Sequence, residues 1–142
     1  LFGKLDRVDC VGEILRIVDY KTGKVESNEL KIDNWEELIT KRTKNKAFQL
    51  MMYSYLYLKK NKFSNTNVVA GNYSFKNVQN GLQEIKIKKS MKPMNIDESA
   101  LLAYENVLMQ LLGEISDLKC GFRQTKDLNI CKWCDFKSIC GR

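Results

Sequence analysis

The stretch GKLDRVDCVGEILRIVDYKTGK, Gly3 to Lys24, decides how this chain is read. Its segments LDRVDCV (5–11) and EILRIVDYK (13–21) are rich in β-branched and apolar residues and flank Gly12, which predicts two strands joined as a hairpin. A turn closed on Gly12-Glu13, a Gly-x pair suited to type II′, sets Val11 opposite Ile14 and carries the register down to Asp6 opposite Asp19. The strand period of two puts Leu15, Ile17, Asp19 and Lys21 on one face and Arg16, Val18 and Tyr20 on the other. One face therefore turns from apolar to ionic along its length.

Opposed cross-strand residues have Cβ atoms about 4.5–5.5 Å apart, so Asp6 and Asp19 would repel unless something neutralised them. A divalent cation such as Mg²⁺ or Mn²⁺ does so, because converging carboxylates offer the hard oxygens it prefers. Lys21 shares that face, where its ammonium can orient an attacking water or stabilise charge on a phosphoryl oxygen. The plain alternative is a salt-bridged hairpin, Asp19 with Lys4 or Lys21, and a longer loop would change the register.

The rest of the chain narrows the choice. At 142 residues with 44% hydrophobic content it is long enough for one domain with a sizeable core. A net charge of +7 favours an anionic partner such as nucleic acid, although a basic surface also serves solubility. Histidine is absent, which removes Ser-His-Asp and Cys-His hydrolases and His-dependent metallonucleases. No apolar run approaches the ~18–20 residues a bilayer span needs, and no secretory leader is visible, so a soluble, cytoplasmic protein without a membrane partner is expected. The chain enters a strand-like run directly from Leu1, which suggests a C-terminal piece of something longer.

Downstream, 22–45 is polar, with a possible short helix in NWEELIT (34–40), and reads as a surface excursion. KAFQLMMYSYLYLKK (46–60) predicts a helix buried on more than one side. A second hairpin, 67–75 with 82–89, is expected around the turn signal Asn80-Gly81. Leu101, Tyr104, Leu108, Leu111 and Ile115 mark a long amphipathic helix over 96–116, with Asp97 or Asn95 as N-cap. The order β-β-α-β-β-α gives an α/β or α+β core, sheet flanked by helices.

GKLDRVD followed by IVDYKTG resembles motifs of the PD-(D/E)XK nuclease superfamily, in particular its RecB-like branch at the C-terminal ends of AddAB-type helicase-nucleases. The resemblance implies a restriction-endonuclease-like core with a central mixed sheet over 1–142. It implies a Mg²⁺- or Mn²⁺-dependent DNA exonuclease of repair or recombination, associated with the nucleoid and working beside a helicase domain or subunit. Asp6 and Asp19 would bind metal, with the backbone carbonyl of Tyr20 as a further ligand, and Lys21 would be catalytic. The branch also carries a Q-x-x-x-Y element, matched here by Gln49 and Tyr53. Its members supply one more acidic or His ligand from a helix before the first strand, and this sequence has none there. A degenerate nuclease fold kept as a DNA-binding or scaffolding module, and a CRISPR-adaptation-type exonuclease, are the alternatives.

The C-terminal 120–142 holds four of the five cysteines, Cys120, Cys131, Cys134 and Cys140. The C-x₂-C-x₅-C spacing in an intracellular chain reads as metal ligation rather than disulfides, with Zn²⁺ and an iron-sulfur cluster both compatible and a zinc ribbon a third reading of the whole. By resemblance to AddB-type nucleases the tail would hold a [4Fe-4S] cluster on Cys131, Cys134 and Cys140. Cys120 stands in for a fourth ligand that the family places upstream. Cys10 is expected to be a buried core thiol.

Overall fold

The computed structural model describes residues 3–61, 67–87, 92–119, 121, 124–125, 128–132 and 134–141. The chain divides into two compact units, Leu1–Leu112 and Gly113–Arg142.

The first unit is built on the opening hairpin. Strands β1 (Arg7–Val11) and β2 (Ile14–Lys21) pair antiparallel with Val11 opposite Ile14 and Arg7 opposite Val18, the register expected from the sequence. Gly12 holds φ at 59°, a left-handed conformation that favours glycine at the first position of the two-residue turn. After two short segments, β3 (Lys31–Ile32) and α1 (Glu37–Thr40), helix α2 (Asn45–Lys60) crosses over to β4 (Asn67–Ser74). Strand β4 lies parallel to β2, with Asp19 beside Asn72 and Lys21 beside Ser74. The mixed sheet runs β1-β2-β4-β5, with β5 at Gln83–Glu84, and α3 (Glu98–Ser116) packs on α2 through Tyr104, whose ring lies 5.7 Å from Phe48 and 6.0 Å from Tyr55. Ile17, Leu50, Met51, Val68, Ile85 and Tyr104 are fully buried. Each such large apolar side chain contributes roughly 1.5–3 kcal/mol.

The segment expected as a surface excursion is instead part of the core: Val25, Leu30, Ile32 and Leu38 are all buried. Isolated apolar residues among polar ones carry no periodicity, so the sequence hid them. Lys44 fixes this segment from within, donating from Nζ to the carbonyls of Asn28 (2.6 Å) and Lys31 (2.5 Å) while itself buried. Its neighbour Lys46 pairs with Glu29.

The second hairpin also needs correction. Among the described residues only Gly71–Glu84 and Asn72–Gln83 pair, so β5 is the two residues Gln83–Glu84. Asn80 closes a 3-10 turn rather than a tight hairpin loop. After Ile85, whose amide bonds the Ala70 carbonyl, the chain leaves the main sheet and β6 (Lys86–Ile87) pairs in parallel with β3; residues 88–89 of the expected strand lie outside the described residues. The edge of β4 beyond β5 is covered by the approach to α3, where Val68 donates to Asn95 Oδ1 and Ile96 donates to the Val68 carbonyl. Asp97 caps α3 as expected, accepting from the Ala100 amide at 2.9 Å, and that bond holds its carboxyl below the ordinary value. The buried stripe of α3 includes Leu101, Tyr104 and Leu108, whereas Ile115 is exposed. Cys10, expected in the core, is exposed on β1, an edge strand with one open side.

The second unit contains the end of α3, a short helix α4 (Leu128–Cys131) and a run of turns. The Cys134 amide donates to the Cys131 carbonyl, and Gln124 Nε2 donates to the Cys140 carbonyl at 2.8 Å.

Candidate functional site

The site is assembled at the C-terminal end of β2. Alternation along the strand turns Ile17, Asp19 and Lys21 toward α2, and Asp19 is buried there. A buried carboxylate must be bonded to be tolerated. Asp19 Oδ2 accepts from Lys21 Nζ at 2.8 Å and from Asn72 Nδ2 at 2.7 Å, while Oδ1 takes no hydrogen bond among the described residues. Lys21 Nζ donates a second bond to Gln49 Oε1 at 2.6 Å. With its oxygen committed to that ammonium, Gln49 turns its Nε2 to Tyr53 Oη at 2.9 Å. Gln49 and Tyr53 lie one turn apart on α2, which lets the amide that receives Lys21 also reach the Tyr53 hydroxyl.

Asp6 arrives from the other side. Strand β1 begins at Arg7, so the paired register stops at Arg7 opposite Val18, and Asp6, just before it, reaches the end of β2 through its side chain, whose carboxylate accepts from the Tyr20 amide at 2.9 Å. In a strand the N–H and C=O of one residue point the same way, so the Tyr20 carbonyl opens on this same edge. The six sequence-derived positions Asp6, Asp19, Tyr20, Lys21, Gln49 and Tyr53 thus meet at one strand end. Asn72 is the addition. Nothing in GNYS marks it, because parallel pairing through a crossover is not legible in local pattern.

The opposite face of β2 is different in character. Tyr20 stacks on Tyr73 (6.2 Å) and on Phe75 (6.0 Å, planes 9° apart), and accepts from Arg7 Nη1 at 3.4 Å. Arg16 grips Asp9 with two bonds of 2.7 and 2.9 Å, which hold the Asp9 carboxyl below its usual value. A cleft of about 380 Å³ lined by Asn45, Lys46, Phe48, Gln49, Met52 and Tyr53 adjoins the bonded chain. A larger groove, about 730 Å³, lies between the end of α2 and the start of α3, lined by Leu58, Lys59, Leu101 and Glu105 among others. It touches none of the site residues, and the chemistry, not the volume, locates the site.

Asp6 Oδ1, Asp19 Oδ1 and the Tyr20 carbonyl are hard oxygens of the kind Mg²⁺ or Mn²⁺ prefers, and they are the groups at this strand end that could hold such an ion. Only two carboxylates contribute, consistent with no cluster of three or more His, Cys, Asp or Glu among the described residues. The tail does not gather three thiols either: among the described residues Cys131 and Cys134 share one turn, Cys140 lies beyond them, and all three are free thiols. Cys120 lies outside the described residues.

A mixed sheet with a crossover helix behind it, and a D-x-K strand end bonded to that helix, defines a restriction-endonuclease-like α/β protein. The family model of the PD-(D/E)XK nuclease superfamily matches residues 1–141, and the chain belongs to that superfamily. No curated protein and no solved structure matches it significantly. No helix among the described residues is long and apolar enough to cross a membrane.

Proposed function

We propose that this chain is a divalent-metal-dependent DNA nuclease domain of the RecB-like branch, hydrolysing phosphodiester bonds as an exonuclease beside a helicase domain or subunit, with 120–142 as its Cys-rich tail. The observation that carries the reading is the Lys21 ammonium, bonded at once to the Asp19 carboxylate and the Gln49 amide at the strand end that Asp6 also reaches. Asp6 and Asp19, with the Tyr20 carbonyl, would hold Mg²⁺ or Mn²⁺, which supplies charge neutralisation and a more acidic attacking water.

This chain's own residues then do the positioning. Gln49, bonded to Tyr53, fixes where the Lys21 ammonium sits. Lys21 offers a donor to a non-bridging phosphoryl oxygen as negative charge builds on it. Surface Lys and Arg bind the phosphate backbone without reading sequence. With no histidine in the chain, proton transfer falls to water and to these groups.

The test is cleavage of plasmid and single-stranded DNA with Mg²⁺ or Mn²⁺ by the wild type, Lys21→Ala and Asp19→Asn. Lys21→Ala should lose about 10²-fold in rate, the scale of removing one oriented donor from a transition state. Equal cleavage by wild type and both variants would defeat the assignment. DNA binding without cleavage by any of them, and without saturable Mn²⁺ affinity, would mark a degenerate binding module instead. The C-x₂-C-x₅-C spacing supports the AddB-type reading of the tail, and visible absorbance of anaerobically purified protein tests it against a zinc site.

A further inference from the structure

We infer that Asn72 is a positioning residue that aims the Asp19 carboxylate at a divalent cation. The inference rests on the reading of Asp19 as a metal ligand.

Asn72 is an unusual occupant of its place. It lies on β4, the second central strand of the sheet, and is completely buried, where a β-branched apolar side chain would pack without penalty. Parallel register sets it directly beside Asp19, and its Nδ2 donates to Asp19 Oδ2 at 2.7 Å, with the Asp19 carbonyl a more distant 3.4 Å away. Its own Oδ1 is buried and unbonded. An asparagine kept for the sheet's sake would have both ends satisfied. This one satisfies the carboxylate and leaves its acceptor bare.

The orientation of the amide follows from chemistry. Exchanging Oδ1 and Nδ2 would set an amide oxygen against a carboxylate oxygen, so the donor must face Asp19. On the far side Gln83, the β5 neighbour of Asn72, has a buried unbonded Nε2. A donor and an acceptor on adjacent strands thus both go without a bond, and the bond kept is the one to Asp19.

The consequence is an asymmetric carboxylate. Lys21 and Asn72 both bond Oδ2, which leaves Oδ1 as the oxygen offered outward. Lys21 neutralises as it binds and so competes with a cation. The amide is uncharged and cannot titrate, so it fixes the rotamer while leaving the negative charge intact for the metal. Such outer partners of ligating side chains set metal affinity by about 10–100-fold when removed.

Titration of Mn²⁺ into Asn72→Leu and Asn72→Ala, followed by the electron paramagnetic resonance of free Mn²⁺, tests this, with thermal melting in EDTA alongside and Asp19→Asn as control. The expected result is folded variants whose Mn²⁺ dissociation constant rises about 10–100-fold. Folded variants with wild-type Mn²⁺ affinity would overturn the inference. Failure of both variants to fold would overturn it too, because the amide would then serve the sheet rather than the carboxylate. Wild-type affinity in Asp19→Asn is a distinct outcome that removes the metal reading itself, and the inference with it.

Discussion

Lys21→Met separates the polar role of this residue from its bulk, since methionine preserves most of the side chain's reach and removes the charge together with its N–H donors. The wild-type ammonium is 2.8 Å from Asp19 Oδ2 and 2.6 Å from Gln49 Oε1, so the substitution removes a donor from a carboxylate and from an amide together. Breaking a fully buried ion pair from one side costs about 3–5 kcal/mol. Here the Lys21 side chain is 23% exposed and Asn72 still holds Asp19, so water and the amide retain part of that. The expected loss is about 1.5–3 kcal/mol, the range for hydrogen bonds to charged groups. At roughly 3–4 °C per kcal/mol for a chain of this size, the melting temperature in EDTA should fall by about 5–12 °C. Adding Mg²⁺ at a hundred times its dissociation constant stabilises a one-site protein by about 2.7 kcal/mol. The variant should gain more than the wild type, because its carboxylates have lost their competing cation. Differential scanning calorimetry in EDTA and across a Mg²⁺ series reads both quantities. An unchanged melting temperature in EDTA, or a gap between the two proteins that Mg²⁺ leaves constant, would refute the reasoning.

Three further outcomes follow from the fold. Asp97→Asn keeps an N-cap but removes a titrating group: since the folded carboxyl lies below its ordinary value of about 3.9, its contribution is full above that pH and is lost as the pH falls through the folded value. Melting temperatures collected between neutral and strongly acidic pH should therefore fall less steeply for the variant. Gly71→Ala brings a Cβ to 2.7 Å from the Gln83 carbonyl oxygen and should cost about 1–3 kcal/mol in urea unfolding, because β5 must move off β4. Lys44→Met strips the donor from the Asn28 and Lys31 carbonyls and should lower stability by about 1–3 kcal/mol by the same measurement.

The residues show how far the sequence could be read. Gly12, with apolar and β-branched residues on either side, was enough to give the hairpin and its register, because a two-residue loop admits one pairing. Alternation in β2 then put Asp19 and Lys21 on one face, and the apolar richness of 46–60 gave α2 almost to the residue. What escaped was set by contacts between distant segments. Val25, Leu30, Ile32 and Leu38 are buried without any period, and the break at Ile85 depends on β3 being present to receive β6. Cys10 was misjudged because hydropathy cannot tell an edge strand from a central one. Asn72 was invisible for a related reason: its partner is brought beside it only by the crossover.

That crossover also dictates when the chemistry becomes possible. Asp19 and Asn72 are 53 residues apart in the chain, and they meet only after α2 has docked and β4 has zipped alongside β2. Closing so long a loop places these contacts among the late events of folding. The carboxylate is then held by the central β2–β4 ladder, and core strands of this kind generally open last. A nascent or partly melted chain would therefore lack the Asp19–Asn72 contact, and the arrangement at the end of β2 is completed only as its own strands come together.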